Sequence, residues 1–202
     1  MDRAMQSRIA HDRLHDVRIP TMDIELTPAD FDALAALPGV AAIESRTTYF
    51  GEVRIGDRRE DLVLVGVRDF ASQQVNVVEL QQGEVPSGDG VLSDAENASS
   101  GRLKPGSVAT LQVEDNSGQL HEVSLSGVGR TLQYSQEAFE GSVVLYASQA
   151  TVNRIAGARG VNSLEIRVDD PANALEVTRA VQEWLTTAHP EVVFPNLPDT
   201  RV

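Results

Sequence analysis

The sequence predicts an α+β fold in two parts: a layer of strands with helices on one face, interrupted by an inserted, mainly β second part. Segments of strand and helix period alternate at both ends of the chain, over residues 22–70 and 158–202. Between them, residues 71–157 carry short alternating runs, turn residues and only short helical stretches. Of the 202 residues 41% are hydrophobic, enough for one large domain or two small ones.

Residues 1–18 read as a helix, with Met5, Ile9 and Leu14 as a weak apolar stripe, and Pro20 ends it. Residues 1–21 thus make a helix and linker of juxtamembrane type, the alternative being a frayed terminus. Met22 to Leu26 alternates in the period of a half-buried strand. Thr27 then caps a helix, with Pro28 at its first position and Asp30 near the positive end of its dipole. Phe31, Leu34 and Leu37 share one face, and Pro38-Gly39 stops the helix.

Val40 to Ile55 reads as a strand broken near Arg46-Thr47, Gly56-Asp57 as a turn, and Asp61 to Arg68 as a second, buried strand. In the stretch Gly83 to Gly106, glycines and Pro86 make a loop. Ser93 and Glu96 have the spacing of a capping box, which predicts a short helix ending near Gly101, with Leu103 in the core. Ser107 to Glu114 and Leu120 to Val128 form a hairpin about Asn116-Ser117-Gly118. Gly129 to Ser142 has no period.

Val143 to Tyr146 is a short strand, and Ser148 caps a helix that ends at Gly157. Val161 to Val168 is a strand. The longest internal helix starts at Asp170-Pro171 and buries Leu175, Val181, Trp184 and Leu185. Glu191 to Phe194 is expected as the last strand. The strand–helix–strand units at the two ends together suggest a ferredoxin-like layer.

Composition narrows the function. A net charge of -13 argues against nucleic acid, which needs a basic face, and against an adhesive surface for anionic membranes. No Lys or Arg falls between Arg68 and Arg102, while Glu79, Glu84, Asp89, Asp94 and Glu96 do. A solvated acidic face explains that run better than a cation or basic-partner patch. The chain has no cysteine, which removes disulfides, thiolate metal sites and cysteine catalysis. No apolar run approaches the ~20 residues of a membrane span, and no signal-peptide core follows Met1.

Catalytic and metal motifs are weak. His11 and His15 stand four apart, as two ligands on one helix face would, but two exposed helix residues account for them better. Gly127-Val128-Gly129-Arg130 lacks the ending of a phosphate loop, and Glu114-Asp115-Asn116 lacks the ligand alternation of a calcium loop. Ser93 with Asp94 and Glu96 could suggest a hydrolase, but no histidine is tied to it in sequence. Asn97-Ala98-Ser99 matches a glycosylation acceptor by pattern alone. The reading is a non-catalytic protein with no cofactor and no metal. Its candidate contact residues are Tyr134, Gln136 and Phe139 in the long unpatterned loop, and secondarily Glu84 and Asp89.

An ordered set of short motifs resembles the extracytoplasmic, or periplasmic core, domain of MacB/FtsX-like ABC transporter permeases. It comprises Leu34-Ala35-Ala36-Leu37-Pro38-Gly39-Val40, Leu64-Val65-Gly66-Val67, Gly83-Glu84-Val85-Pro86 with Val91-Leu92-Ser93, Leu103-Lys104-Pro105-Gly106-Ser107, and Val128-Gly129. The resemblance runs from about Ile24 to Phe194. It implies a porter-like α+β subdomain over residues 22–70 and 158–202, and a smaller inserted subdomain over 71–157. It further implies a place outside the cell membrane, between two transmembrane helices of a multi-pass permease. A separate cytoplasmic ATPase subunit or domain would drive it, and the outer domain would relay conformational change while contacting substrate, a protein or a lipoprotein. The parent permease would be dimeric and the isolated domain monomeric. The alternative is a free soluble extracytoplasmic module that binds peptide or lipid.

Overall fold

The computed structural model describes residues 13–101, 103, 110–131, 133, 141–195 and 199–200. The elements run β1 (Val17–Ile24), α1 (Pro28–Ala35), β2 (Val40–Ile55), β3 (Arg58–Val67), β4 (Glu79–Gly83), β5 (Gly90–Asp94), α2 (Ala95–Ser99), β6 (Thr110–Glu114) and β7 (Leu120–Arg130). They continue with β8 (Val143–Ser148), α3 (Gln149–Ala156), β9 (Val161–Val168), a 3-10 turn (Pro171–Asn173), α4 (Ala174–Ala188) and β10 (Asp199–Thr200). The chain divides into two compact units. One takes the chain up to Arg46, Gln73–Val77 and the chain from Arg159; the other takes Thr47–Ser72 and Val78–Ala158.

In the first unit β1 and β2 both pair antiparallel with β9, so β1-α1-β2 is a split βαβ with β9 between its strands. β10 pairs antiparallel with β1, which makes β9-α4-β10 a second such unit. The strand order β10-β1-β9-β2 is the ferredoxin-like arrangement. Phe31 and Leu34 of α1 and Ala174, Val177, Val181 and Leu185 of α4 share one core with Val17, Ile19, Ile43, Leu164 and Ile166. Thr27 caps α1 as expected: its hydroxyl accepts from the Asp30 amide at 3.3 Å, and the Asp30 carboxylate accepts from the Thr27 amide at 2.7 Å.

The first unit departs from the sequence reading in four places. Val17 and Arg18, expected in a helix, begin β1, and Pro20 lies inside that strand opposite Ser163. The alternation expected from Met22 fails at a register shift between Pro20 and Ile24, which leaves Met22 60% exposed. Leu175 is 55% exposed, and Ala174, Val177 and Thr178 are buried instead. Glu191 to Phe194 forms no strand; the fourth strand of the layer is the two-residue β10.

The second unit is a closed ring. β2 and β3 are neighbours, β3 runs parallel to β8, β8 antiparallel to β5, β5 parallel to β7, β7 antiparallel to β6, and β6 antiparallel to β2. Six strands thus close a small barrel, which removes the edges an open sheet would expose. Its interior holds Val53, Leu62, Leu64, Val91, Leu111, Val113, Val123 and Leu145, with Leu103 and, from α3, Val152 and Ile155. The intervening residues Val63, Val65, Val144 and Tyr146 pack in a second cluster with Val78 and Leu92. β3 and β8 are therefore buried on both faces, which is why Asp61–Arg68 reads as a near-continuous apolar run.

β2 is one unbroken strand of 16 residues; the expected break at Arg46-Thr47 is absent, although the two compact units divide there. Residues 47–70, expected with the first part, belong to the second because β2 runs on into the β2–β3 hairpin of the ring. The loop expected around Val91 is strand β5, and Ser93 is its interior. Asp94, not Ser93, caps α2, its carboxylate accepting from the Glu96 amide at 2.8 Å. Ladder pairing of Ser93 with Val128 and Leu145 holds it in the strand, so the helix starts one residue later.

Candidate functional site

The acidic stretch singled out from sequence lies on the second unit. Glu84 is exposed just beyond β4, its amide donating to the Ser126 carbonyl at 3.1 Å. Asp89 is exposed on the turn into β5, and that turn is fixed against α3. The Thr151 hydroxyl donates to the Gly88 carbonyl at 2.7 Å, and the Ser124 amide to the Asp89 carbonyl at 3.0 Å. The Asp89 carboxylate forms a close ion pair with Arg154 in the last turn of α3.

Arg154 extends the chain of charges. Its guanidinium stands 3.3 Å from Nδ1 of His121, and Nε2 of His121 stands 2.9 Å from the Asp115 carboxylate. A guanidinium can only donate, so Nδ1 accepts and the ring proton sits on Nε2, facing Asp115. Asp115 also accepts from the Ser117 amide at 2.8 Å, the Ser117 hydroxyl at 2.7 Å and the Gln119 amide at 2.9 Å. The His121 bond above all, then the Ser117 hydroxyl, holds the Asp115 carboxyl well below the usual carboxylate range, helped by the Gln119 and Ser117 amides and opposed by burial. Asp115 thus serves both the hairpin turn and the orientation of His121, and no local sequence signal marks the second role.

Nearby on the same unit, a hollow of about 370 Å³ at the β2–β3 turn is lined by Arg54, Gly56, Asp57, Arg58 and Arg59. Its arginines are engaged: Arg54 and Arg59 reach Glu114 at 3.4 and 2.6 Å, Arg59 also contacts Glu52, and Arg58 reaches Glu60 at 3.0 Å. The group is a mixed-charge surface, not a basic patch.

Several sequence candidates resolve into structural roles. Ser93 is fully buried, its hydroxyl donating to the Asp94 carbonyl at 3.2 Å. Asn97 is 5% exposed and donates to the Val144 carbonyl at 2.7 Å, which closes it to glycosylation. His15 is neither helical nor exposed; it is 3% exposed and lies just before β1. Among the described residues no three acidic or histidine side chains are placed to hold a metal ion. Tyr134, Gln136 and Phe139 lie outside the described residues.

No family model matches the chain, and no curated protein does. Solved structures do. The periplasmic region of MacB from Actinobacillus actinomycetemcomitans superposes with a TM-score of 0.61 at 15% identity, covering 98% of this chain and 94% of that one. The fold is that of the MacB periplasmic region. The extracellular domain of YknZ, a noncanonic ABC-type transporter from Gram-positive bacteria, gives a TM-score of 0.58 at 12% identity, covering 92% of this chain and all of that one. In this MacB-like fold the first unit supplies the ferredoxin-like layer and the second the ring that carries Glu84, Asp89 and the Asp115–His121–Arg154 chain.

Proposed function

We propose that this chain is the extracytoplasmic domain of an ABC transporter permease, a non-catalytic lever that contacts substrate or a partner protein and relays ATP-driven conformational change. The observation that carries this is the fold likeness to two transporter outer domains over nearly the full length of all three chains. ATP hydrolysis then belongs to a separate cytoplasmic subunit or domain, and the parent is a multi-pass, dimeric membrane protein. Its outer contacts run through Tyr134, Gln136 and Phe139, with Glu84 and Asp89 as a second, acidic group. Asp89 is already paired with Arg154, so a basic partner would share its carboxylate or compete with that ion pair.

Fractionation of the native organism with an antibody against this domain tests the reading. The expected result is a membrane-fraction band well above 21.8 kDa, degraded by protease added to cells stripped of their wall. A soluble band near 21.8 kDa overturns it and favours a free binding module.

A further inference from the structure

The sheet of the first unit has a second face, away from its helices, and that face is charged and buried. Leu164, Ile166 and Val168 of β9 join the helix-side core, so alternation turns Ser163 and Glu165 the other way. On β2, Ile43 joins that core and Glu44 and Arg46 face opposite. Glu44 sits directly across the ladder from Glu165, at 2% and 0% exposure. Two carboxylates paired across adjacent strands repel. Arg46, 1% exposed, stands 3.6 Å from each of them.

Two chain segments cover this face: residues 13–16, which lead into β1, and residues 73–77, which cross between β3 and β4. Arg46 donates to the Val75 carbonyl at 2.9 Å and the Asn76 carbonyl at 3.3 Å. The Gln74 amide donates to Glu44 at 3.0 Å. Asn76, 1% exposed and held at φ 48°, joins everything. Its side-chain amide donates to Glu165 at 2.6 Å, and its side-chain carbonyl accepts from the His15 backbone amide at 3.1 Å. Both its Nδ2 and Oδ1 lie within reach of His15 Nδ1, at 2.9 and 3.2 Å. Its own backbone amide donates to the Arg13 carbonyl at 2.9 Å.

We propose that Asn76 is the positioning residue of a buried polar clasp, through which residues 13–16 and residues 73–77 dock and release as one unit. The reason is the cost of a half-open state. Withdrawing residues 73–77 strips hydrogen bonds from Arg46, Glu44 and Glu165, and withdrawing residues 13–16 alone strips them from the buried Asn76 that holds Glu165. Either half-open state leaves polar groups unpaired in a low-dielectric interior, which is worse than keeping or releasing both. Residues 73–77 are joined through residues 68–72 to β3 and through Val78 to β4, so the state of residues 13–16 is imposed on that crossover. The inference stands apart from the permease reading. Within that reading, residues 13–16 are where motion from the membrane would enter.

Amide hydrogen exchange of the 202-residue chain, read by NMR, tests it. The amides of His15, Gln74 and Asn76 report on the clasp, and those of Leu64 and Leu145 report on the ring. The clasp amides are expected to show protection factors within about threefold of one another, as one cooperative opening requires. Asn76→Gly keeps the left-handed backbone and removes only the side chain. It is expected to speed the amides of residues 15, 74 and 76 together by at least roughly tenfold, leaving Leu64 and Leu145 unchanged. The proposal is overturned if residue 15, whose amide loses its acceptor outright, accelerates without residue 74, or if the ring amides accelerate equally. Should the variant not fold, the native comparison decides alone: clasp amides differing by more than about tenfold overturn the proposal. Neither result bears on whether the chain belongs to a permease.

Discussion

Two aspartates in the second unit respond to pH in opposite directions. Burial pushes the Asp94 carboxyl up, opposed by bonds from the Tyr146 hydroxyl at 2.6 Å and the Glu96 amide, and by the charge of Arg130. A carboxyl raised by folding contributes stability below its unfolded pKa and loses it as pH rises through the folded value. Asp94→Asn keeps an acceptor and sheds the buried charge. Its melting temperature relative to the native chain should therefore improve between about pH 3 and pH 7, and thermal melts across that range check it. Tyr146→Phe leaves the carboxylate without that donor and should cost about 1–3 kcal/mol in urea unfolding at neutral pH. Asp115 is the reverse case. Its lowered carboxyl contributes stability above the ordinary carboxylate pKa and loses it as pH falls, so the deficit of Asp115→Asn should be largest near neutrality and narrow below about pH 3. Little at this scale was legible in the sequence. Asp94 and Ser93 are equally good caps by type, and only the ladder register of β5 decides between them. His15 looked exposed because its partners come from residues about 60 and 150 positions away, Asn76 directly and Glu165 through it.

Local signals served best where an element is set by its own residues. The Thr27 cap of α1, the Ser148 cap of α3 and the left-handed Gly157 that ends α3 all form as their residue types dictate. Elements set by distant pairing were missed: β5 is held by β7 and β8, β4 by β7, and β10 by β1, with no sequence periodicity long enough to mark them. The bulge in β1 is another such feature. Asp23, at φ 49°, accepts from the Arg159 and Gly160 amides at 2.8 and 2.7 Å, drawing Gly160 so close that a Cβ there would collide with the Ile24 carbonyl. Gly160→Ala should destabilise by about 1–3 kcal/mol or more, read as a lowered urea midpoint. An unchanged midpoint would mean the β1–β9 junction yields. Closure of the ring depends on β6, which pairs with both β2 and β7 and whose Leu111, opposite Val123, is fully buried. Leu111→Ala should cost about 2–5 kcal/mol, the range for emptying a packed core position.

At the scale of the whole molecule, charge is the property most readily tested. The chain carries -13 at neutral pH with a pI near 4.6, so like charges repel across its surface and favour expansion. Against this stand exposed ion pairs such as Arg54–Glu114, Arg58–Glu60 and Arg154–Asp89. Exposed pairs contribute about 0–1 kcal/mol each, and salt screens them as it screens the repulsion. Repulsion among a large excess of carboxylates involves many more charges than these few pairs, so screening should relieve more strain than it removes attraction. The melting temperature should therefore rise as salt goes from about 20 to 300 mM at pH 7, over which the Debye length shortens to less than 10 Å. A fall would mean that the ion pairs of the ring, and the Asp89–Arg154 and Asp115–His121 contacts with them, outweigh the net charge. In that case the acidic stretch is a structural part of the ring and not the solvated face its sequence suggests.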